Sequence, residues 1–192
     1  MVNSMAIHPN LLTADDSILL VVDIQGRLSA AMPSADLKQM IVYGRRLLEA
    51  ARLLNVPVLA TEQYPQGLGS TQPEIGDCFP ATARVLGKTG FSCCSAAGFL
   101  EALNEAGRKQ VVIIGQETHV CVLQTSLELL NRGYQVHVLT DAVCSRRDEH
   151  KHYALQRMQQ QGVTLSCHES VLFEWLRDAQ HEHFKTISAL IR

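Results

Sequence analysis

The chain has no long apolar segment, and this absence already limits what it can be. Its longest uncharged apolar run is Ile18–Val22, whereas a helix that spans a bilayer needs about 20 such residues. The stretch from Met1 to Leu12 does not combine a basic segment with an apolar one, as a secretion signal would. We therefore expect no membrane partner and a cytoplasmic location.

The chain also lacks a strong excess of either charge, and no two of its cysteines form a CxxC motif. There are 17 Lys and Arg against 19 Asp and Glu, a formal net charge of -2, so we expect no nucleic-acid partner. Without a secretion signal, six cysteines do not imply disulfides. Most of them are predicted to be small buried apolar side chains. The six positions are Cys78, Cys93, Cys94, Cys121, Cys144 and Cys167.

Three common sequence signatures are missing as well. The chain has no GxxxxGK[ST] phosphate loop and no GxGxxG dinucleotide fingerprint. It has no GxSxG turn that would present a nucleophilic serine. No cofactor is predicted.

What the chain does have is a regular alternation of strand-like and helix-like segments. Short continuous apolar runs are typical of parallel strands that are covered on both faces. We predict one α/β domain over residues 1–192, with a core at about 11–191, built as a three-layer, doubly wound, six-stranded parallel sheet with helices on both faces. The predicted strands are 18–22, 57–60, 84–86, 111–114, 135–139 and 163–166, and the predicted helices are about 37–54, 95–106, 118–131, 147–160, 169–176 and 181–191.

Three residues whose side chains could take part in catalysis directly follow predicted strands or lie near a predicted helix start. Asp23 comes directly after the first strand, Lys88 follows the third, and Cys121 lies near the start of the helix after the fourth. In open α/β sheets, ligands bind outside the carboxyl ends of the strands. Each residue also has an ordinary interpretation: Asp23 as a turn residue, Lys88 as a solvated lysine and Cys121 as a buried cysteine. Together they fit acyl transfer through a thioester, with a carboxylate as base and a thiol as nucleophile.

The segments that contain these residues resemble the isochorismatase-like cysteine hydrolase superfamily, closest to its isochorismatase domain-containing proteins. The similar segments read LLVVDIQGRL, TEQYPQGLGST, GKTGFSC and GQETHVCVLQTSLELLNRGYQVHVLTDAVCSR. The resemblance covers nearly the whole chain. It implies a six-stranded parallel sheet and a homo-oligomer, a dimer or larger.

The resemblance also assigns roles. It implies that Asp23 is the general base, Lys88 the catalytic lysine and Cys121 the nucleophile. It further implies a cis peptide bond between Gln116 and Glu117, and an oxyanion hole formed by the backbone N–H groups of Glu117 and Cys121. We expect Lys88 to hold the pKa of the Cys121 thiol low, so that a thiolate is present near neutral pH.

The loop after the second strand departs from part of the superfamily. Nicotinamidases of this superfamily bind a metal there through an aspartate and two histidines, whereas residues 61–69 contain no histidine. We therefore predict no metal site and no nicotinamidase activity. True isochorismatases lack the cysteine nucleophile, so Cys121 argues against that activity too.

Five further residues are predicted to line the substrate pocket: Gln25, Gln63, Tyr64, Phe91 and His119. The loops of Gln63, Tyr64 and Phe91 follow the second and third strands, and His119 lies two residues before Cys121. Gln25 lies two residues after Asp23 and either orients the base, contacts substrate or is an ordinary loop amide. His119 as a second base is disfavoured, because residues two apart on a helix do not share a face. Arg146 and Arg147 are predicted to begin a solvated helix.

These observations lead to one main hypothesis and two alternatives. The main one is hydrolysis of an amide-type C–N bond in a small-molecule substrate. The alternatives are a binding or regulatory protein on the same fold, and a thiol redox sensor that uses Cys121 with Cys93 or Cys94. The reactivity of Cys121 discriminates between the first two.

Overall fold

A computed structural model describes residues 8–192 of the 192-residue chain. Residues 1–7 of the segment searched for a secretion signal therefore lie outside the described residues. The six strands form one parallel sheet in the order β3-β2-β1-β4-β5-β6. The predicted doubly wound α/β architecture is confirmed. No helix within 8–192 has both the length and the apolar character needed to cross a membrane.

The element bounds are as follows. The strands are β1 Ser17–Val22, β2 Val58–Gln63, β3 Arg84–Lys88, β4 Gln110–Gln116, β5 Gln135–Cys144 and β6 Thr164–Ser166. The α-helices are α1 Gly26–Ser29, α2 Ser34–Leu53, α3 Pro65–Leu68, α4 Pro73–Gly76, α5 Phe99–Ala106, α6 Leu123–Asn131, α7 Asp148–Gln160, α8 His168–Leu176 and α9 Phe184–Leu190. A 3₁₀ turn spans Cys93–Ser95, and a π-helical turn spans Thr118–Val122.

The two faces of the sheet bury two separate sets of apolar side chains. Along β1, Leu19 and Val21 pack against α2, α8 and α9, while Ile18, Leu20 and Val22 pack against α5, α6 and α7. Successive strand side chains point to opposite faces, so a continuous apolar strand supplies both layers. Fully burying each such side chain contributes about 1.5–3 kcal/mol. This burial fixes β1 between β2 and β4.

The strand order places a crevice at the carboxyl ends of β1 and β4. The chain winds outward in one direction through β2 and β3, and in the other through β5 and β6. At such a reversal the connections leave the two central strands toward opposite faces, which opens a ligand-binding crevice between them. Asp23 follows β1 at this point, and Gln116 ends β4.

Several predicted elements differ from the structure near the site. Strand β2 continues to Gln63 and β3 to Lys88, each beyond its apolar run. The predicted helix 118–131 begins with a π-helical turn, and α6 starts only at Leu123. The predicted helix 95–106 starts at Phe99. The loop predicted after the second strand begins with the last residues of β2 and includes two four-residue helices, α3 and α4.

Candidate active site

The register of β1, β2 and β3 brings the predicted base and the predicted lysine to one edge of the sheet. Val22 pairs with Thr61, and Gln63 pairs with Lys88. The residue after Val22 is Asp23, which adopts a left-handed backbone with φ 50°. Aspartate tolerates this conformation better than most residues. The turn keeps the carboxylate of Asp23 over the ends of β2 and β3.

Asp23 and Lys88 form a completely buried ion pair. Lys88 Nζ donates to Asp23 Oδ2 at 2.7 Å, and both side chains are 0% exposed. The other carboxylate oxygen, Oδ1, accepts a hydrogen bond from Thr61 Oγ1 at 2.7 Å. Each charge is thus compensated and hydrogen-bonded, as burial of ions requires.

Lys88 also organises the residues around it. Its Nζ donates to Gln63 Oε1 at 2.6 Å, to the Phe91 carbonyl at 2.9 Å and to the Gly90 carbonyl at 3.3 Å. An ammonium has three N–H groups, so the longer contact to Gly90 shares a proton with another. The alternative interpretation of Lys88 as a solvated lysine is therefore wrong. Lys88 ties the loop after β3 to the ends of β1 and β2.

Cys121 lies in the π-helical turn that connects β4 to α6. Its Sγ is 3.9 Å from Gln63 Oε1, so the thiol faces the same cluster as Lys88. The Glu117 carbonyl accepts hydrogen bonds from the N–H groups of Val120 and Val122 at 3.1 and 3.2 Å. Single π-helical turns are rare and occur often at functional sites.

The surroundings of Cys121 do not favour a resting thiolate. Burial raises the pKa of the Cys121 thiol, the charge of Asp23 raises it further, and the opposing charge of Lys88 only partly offsets them, which leaves a pKa of about 12. Lys88 does act in the expected direction, but its charge is already committed to Asp23. The thiol therefore keeps its proton at neutral pH and needs a base to react.

The backbone between β4 and Cys121 has an unusual shape. Gly115 adopts φ 119°, and the Gln116–Glu117 peptide bond is cis. Gln116 Nε2 donates to the Asp23 carbonyl at 3.1 Å and to Ser29 Oγ at 2.9 Å. The side chain of Gln116 thereby joins the turn after β4 to the turn after β1. That the N–H groups of Glu117 and Cys121 form an oxyanion hole remains a prediction.

A cavity of about 380 Å³ opens beside Cys121. Three of the predicted pocket residues, Gln63, Tyr64 and Phe91, line it together with Cys121. Tyr64 and Phe91 are each 53% exposed and form part of its rim. The remaining lining residues are Leu28, Leu68, Glu117, Val120 and Arg146. The wall is thus mainly apolar, with one acidic and one basic side chain. A wider cavity of about 560 Å³ is lined by α2, by Asp77, Cys78 and Phe79 after α4, and by Leu190 of α9, and none of the predicted site residues line it.

Gln25 is buried behind the pocket rather than on its wall. Its side-chain amide donates to the carbonyls of Gln63 and Gly69 at 3.0 and 2.5 Å, and its Oε1 accepts from the Gln63 N–H at 2.7 Å. It is 0% exposed. The prediction that Gln25 contacts substrate is therefore wrong, because its polar atoms already hold the loop after β2.

His119 faces a different cavity. It lines a space of about 270 Å³ with Leu123, His150 and Tyr153 among its neighbours. Its Nδ1 is 3.0 Å from Ser145 Oγ, and its ring centroid is 4.8 Å from that of His150. The prediction that His119 lines the substrate pocket is wrong, because a two-residue offset on the turn points it away from Cys121.

Two residues at the site were not recognised from the sequence. Thr61 was taken only as the start of a loop, yet it donates to Asp23. Arg146 was predicted to be solvated, yet it binds the Glu117 carboxylate through Nε at 2.9 and 3.2 Å and through Nη2 at 2.5 Å. One signal was available for Thr61, because it directly follows the apolar run of β2. No local signal links Arg146 to Glu117, which lies 29 residues earlier.

The Arg146–Glu117 pair allows a pH-dependent prediction. Burial raises the pKa of Glu117, but the hydrogen bonds and charge of Arg146 outweigh it, so the pKa lies below its ordinary value. A depressed carboxyl pKa stabilises the fold above the unfolded-state value and loses that contribution as pH falls. We expect Arg146→Met to lower the free energy of unfolding by about 1 kcal/mol at pH 7, since Arg146 is half exposed, and by less below about pH 4.5.

Urea unfolding at pH 7 and pH 3.5 measures this difference. The matched control is Arg147→Met, because Arg147 is adjacent and exposed and should change stability by no more than about 0.5 kcal/mol at either pH. A loss for Arg146→Met that is equal at both pH values would contradict the assignment.

In nicotinamidases the loop after the second strand binds a metal ion. The corresponding loop of this chain does not have the side chains to bind a metal ion. At its start, Gln63 presents an amide whose oxygen already accepts from the Lys88 ammonium at 2.6 Å. Within residues 8–192, no three His, Cys, Asp or Glu side chains are grouped so as to hold a metal ion.

Comparison with known proteins gives consistent results. The family model described as Isochorismatase domain matches residues 17–170. Isochorismatase domain-containing protein 2A of Mus musculus is 40% identical over 178 residues, which cover 93% of this chain and 84% of that protein.

Solved structures share the fold over nearly the whole chain. The MAR1 ribonuclease from Caenorhabditis elegans has a TM-score of 0.88 at 36% identity, covering 94% of this chain and 91% of that one. The YcaC gene product from Escherichia coli, an octameric hydrolase of unknown specificity, has a TM-score of 0.88 at 26% identity, covering 97% and 91%. YcaC from Pseudomonas aeruginosa, solved with hexane-2,5-diol and covalent acrylamide, has a TM-score of 0.86 at 27% identity, covering 96% and 93%.

Proposed function

Because the chain belongs to the isochorismatase family, we propose that it hydrolyses an amide-type C–N bond of a small molecule through a thioester on Cys121. The observation that carries this proposal is the placement of one thiol beside a buried Asp23–Lys88 pair, at the wall of a cavity of about 380 Å³. A nucleophile, a base and an enclosed space for substrate meet there.

The first half of the reaction forms the thioester. Asp23 accepts the Cys121 proton while sulfur bonds to the substrate carbonyl carbon, and the N–H groups of Glu117 and Cys121 receive the oxyanion. The proton moves during attack, because a thiol with a pKa of about 12 is not ionised beforehand. Protonated Asp23 then gives this proton to the leaving amine as the C–N bond breaks.

The second half restores the enzyme. Water attacks the thioester carbon and Asp23 takes a proton from it, after which the C–S bond breaks and the sulfur is reprotonated. Lys88 lies beneath the cluster rather than on the cavity wall, so we assign it the role of balancing and orienting Asp23. Proton transfer from Cys121 to Asp23 leaves the three groups with the same total charge, and an apolar pocket favours such a step.

The absence of a histidine in residues 61–69 and the Lys88–Gln63 bond support a reaction without a metal, and so not that of the nicotinamidases. The presence of Cys121 supports amide rather than vinyl ether chemistry, so not that of a true isochorismatase. We further propose that the chain assembles with copies of itself, as the E. coli relative does.

The C. elegans relative carries the name ribonuclease, which adds RNA to the substrates to assay. RNA binding rests on cationic surface that neutralises phosphates. The basic residue on this pocket wall, Arg146, is paired with Glu117. The mainly apolar cavity therefore favours a small uncharged group over a polynucleotide.

The test is the pH dependence of acrylamide addition to each cysteine, resolved by peptide mass. Acrylamide adds to thiols, and a relative has been solved with it covalently bound. We expect Cys121 to react faster than the partly exposed Cys78, Cys94 and Cys167 despite its raised pKa, because Asp23 accepts its proton during attack. In Asp23→Asn the rate should fall at least about 100-fold.

The control is Asp15→Asn, since Asp15 is exposed and precedes β1 at the opposite end of the sheet; its rate should equal that of the unmodified protein. An unreactive Cys121, or equal rates with and without the Asp23 carboxylate, would refute the hydrolase and favour a binding protein. Rapid formation of a Cys121 disulfide with Cys93 or Cys94 under mild peroxide would favour the redox sensor. A positive result justifies screening amides for ammonia release.

A further inference from the structure

A fully buried chain of hydroxyl and thiol groups contacts the Asp23 carboxylate through Oδ1, the oxygen that does not bind Lys88. Thr61 Oγ1 is 2.7 Å from Asp23 Oδ1, and Cys93 Sγ is 3.4 Å from Thr61 Oγ1. The exposed fractions are 0% for Asp23, 1% for Thr61 and 0% for Cys93. The reaction proposed above uses neither Thr61 nor Cys93.

The direction of these hydrogen bonds follows from proton counting. An ionised carboxylate only accepts, so the single hydroxyl proton of Thr61 points to Asp23. The contact between Thr61 and Cys93 then requires the thiol to donate. Burial and the charge of Asp23 raise the pKa of Cys93 to about 12, so the donor proton is retained throughout the neutral range. The chain runs one way, from Cys93 through Thr61 to Asp23.

Thr61 is held in place for this role. Its carbonyl accepts the Asp23 N–H at 3.0 Å, so backbone and side chain of Thr61 both bind the same residue. A β-branched side chain has restricted χ1 freedom, which favours a fixed hydroxyl direction. Cys93 is fixed as well, because its N–H donates to Thr125 Oγ1 at 2.9 Å.

We propose that Thr61, supported by Cys93, is a positioning residue that holds the Asp23 carboxylate in the orientation in which it acts as the base for Cys121. This inference rests on the function proposed above. A donor to Oδ1 stabilises the ionised carboxylate over its protonated form. With Lys88 on Oδ2 and Thr61 on Oδ1, both oxygens are restrained and the carboxylate plane cannot rotate freely.

Three titratable groups face Asp23 and could affect how the rate of Cys121 modification depends on pH. They are Lys88 from β3, Cys121 from the π-helical turn and Cys93 from the 3₁₀ turn. Both thiols have a raised pKa of about 12 and stay protonated between pH 4 and 8. Neither thiol then sets the lower limb of a rate profile between pH 4 and 8, so variants at Thr61 and Cys93 can be compared by the position of that limb.

The experiment measures the rate of acrylamide addition to Cys121 from pH 4 to 8 in Thr61→Val, Thr61→Ser and Cys93→Ala. Valine matches the shape of threonine but has no hydroxyl. We expect Thr61→Val to move the acidic limb upward by about one pH unit and to lower the plateau several-fold. Thr61→Ser should restore the position of the limb, and Cys93→Ala should move it in the same direction as valine by a smaller amount.

The matched control is Thr140→Val. Thr140 donates to the Ser166 carbonyl at 3.2 Å and lies three strands from β2, about 14 Å away, so its profile should not change. A limb unchanged in Thr61→Val and Cys93→Ala, while Asp23→Asn still abolishes the reaction, would overturn the positioning role and leave the hydrolase intact. If Asp23→Asn did not change the rate of acrylamide addition to Cys121, the proposed hydrolase function itself would be refuted. If Thr61→Val does not fold, Cys93→Ala decides the question, because the positioning role requires this variant to move the acidic limb upward.

Discussion

Replacing Lys88 by methionine is expected to lower the free energy of unfolding by about 3–5 kcal/mol at pH 7, the usual cost of removing one partner from a buried ion pair. The Asp23 carboxylate would remain 0% exposed without its counter-charge. Gln63 Oε1 and the Phe91 carbonyl would lose their donor at the same time. Methionine has a similar length, so the loss reports charge and hydrogen bonding more than volume.

Urea unfolding of Lys88→Met, Asp23→Asn and the double variant measures this pair as a double-mutant cycle. The double variant should be more stable than the sum of the two single losses indicates, because it leaves neither charge unpaired. Lys38→Met is the matched control, since Lys38 is exposed on α2 and should change stability by less than about 0.5 kcal/mol. A loss below about 1 kcal/mol for Lys88→Met would show that the pair does not form as described.

Replacing Gly115 by alanine is expected to cost at least about 4 kcal/mol or to prevent folding. Gly115 has φ 119°, and an added Cβ would lie 2.1 Å from the Val22 carbonyl oxygen and 2.8 Å from its carbonyl carbon. Both are backbone atoms of the central strand, so no side chain can move to make room. The strain would lie at the ends of β1 and β4, where Asp23 and Glu117 follow these strands.

Gly26→Ala is the comparison for this variant. Gly26 lies in α1, close to the same site, and an added Cβ there meets no atom within 4 Å. It should leave stability unchanged or raise it by a few tenths of a kcal/mol. Thermal unfolding and the reactivity of Cys121 are measured for both variants, and both should be impaired only in Gly115→Ala. A Gly115→Ala protein as stable and reactive as Gly26→Ala would contradict the close approach of β1 and β4.

The sequence predicted the sheet because its signal is local. Each strand contains a short apolar run, and the run alone locates β1 and β4 to within two residues at each end. The polar ends of β2 and β3 were missed because Gln63 and Lys88 interrupt the apolar pattern, although sheet hydrogen bonds continue through them. Strand β5 was cut at Leu139 for the same reason, although Val143 and Cys144 still pair with β4.

The chemistry of the site was less accessible from sequence. Residue type and strand-end position identified Asp23, Lys88 and Cys121 as a set, but the protonation state of Cys121 depends on burial, which the sequence does not specify. Gln25 and His119 were assigned by their spacing from Asp23 and Cys121. The direction of each side chain depends instead on the loop after β2 and on the π-helical turn. Arg146 needed the register of β4 and β5, a tertiary property.

The two ion pairs at the site have a further consequence for how a substrate arrives. Asp23 cancels Lys88 beneath the pocket, and Glu117 cancels Arg146 on its wall. The entrance therefore presents no net charge that would draw a charged molecule from a distance. Ionic strength screens attraction between exposed charges beyond about 10 Å at 0.1 M, and here there is little such attraction to screen. We therefore expect the rate of encounter with substrate to depend little on salt, and the fit of a group between Tyr64 and Phe91 to select the substrate.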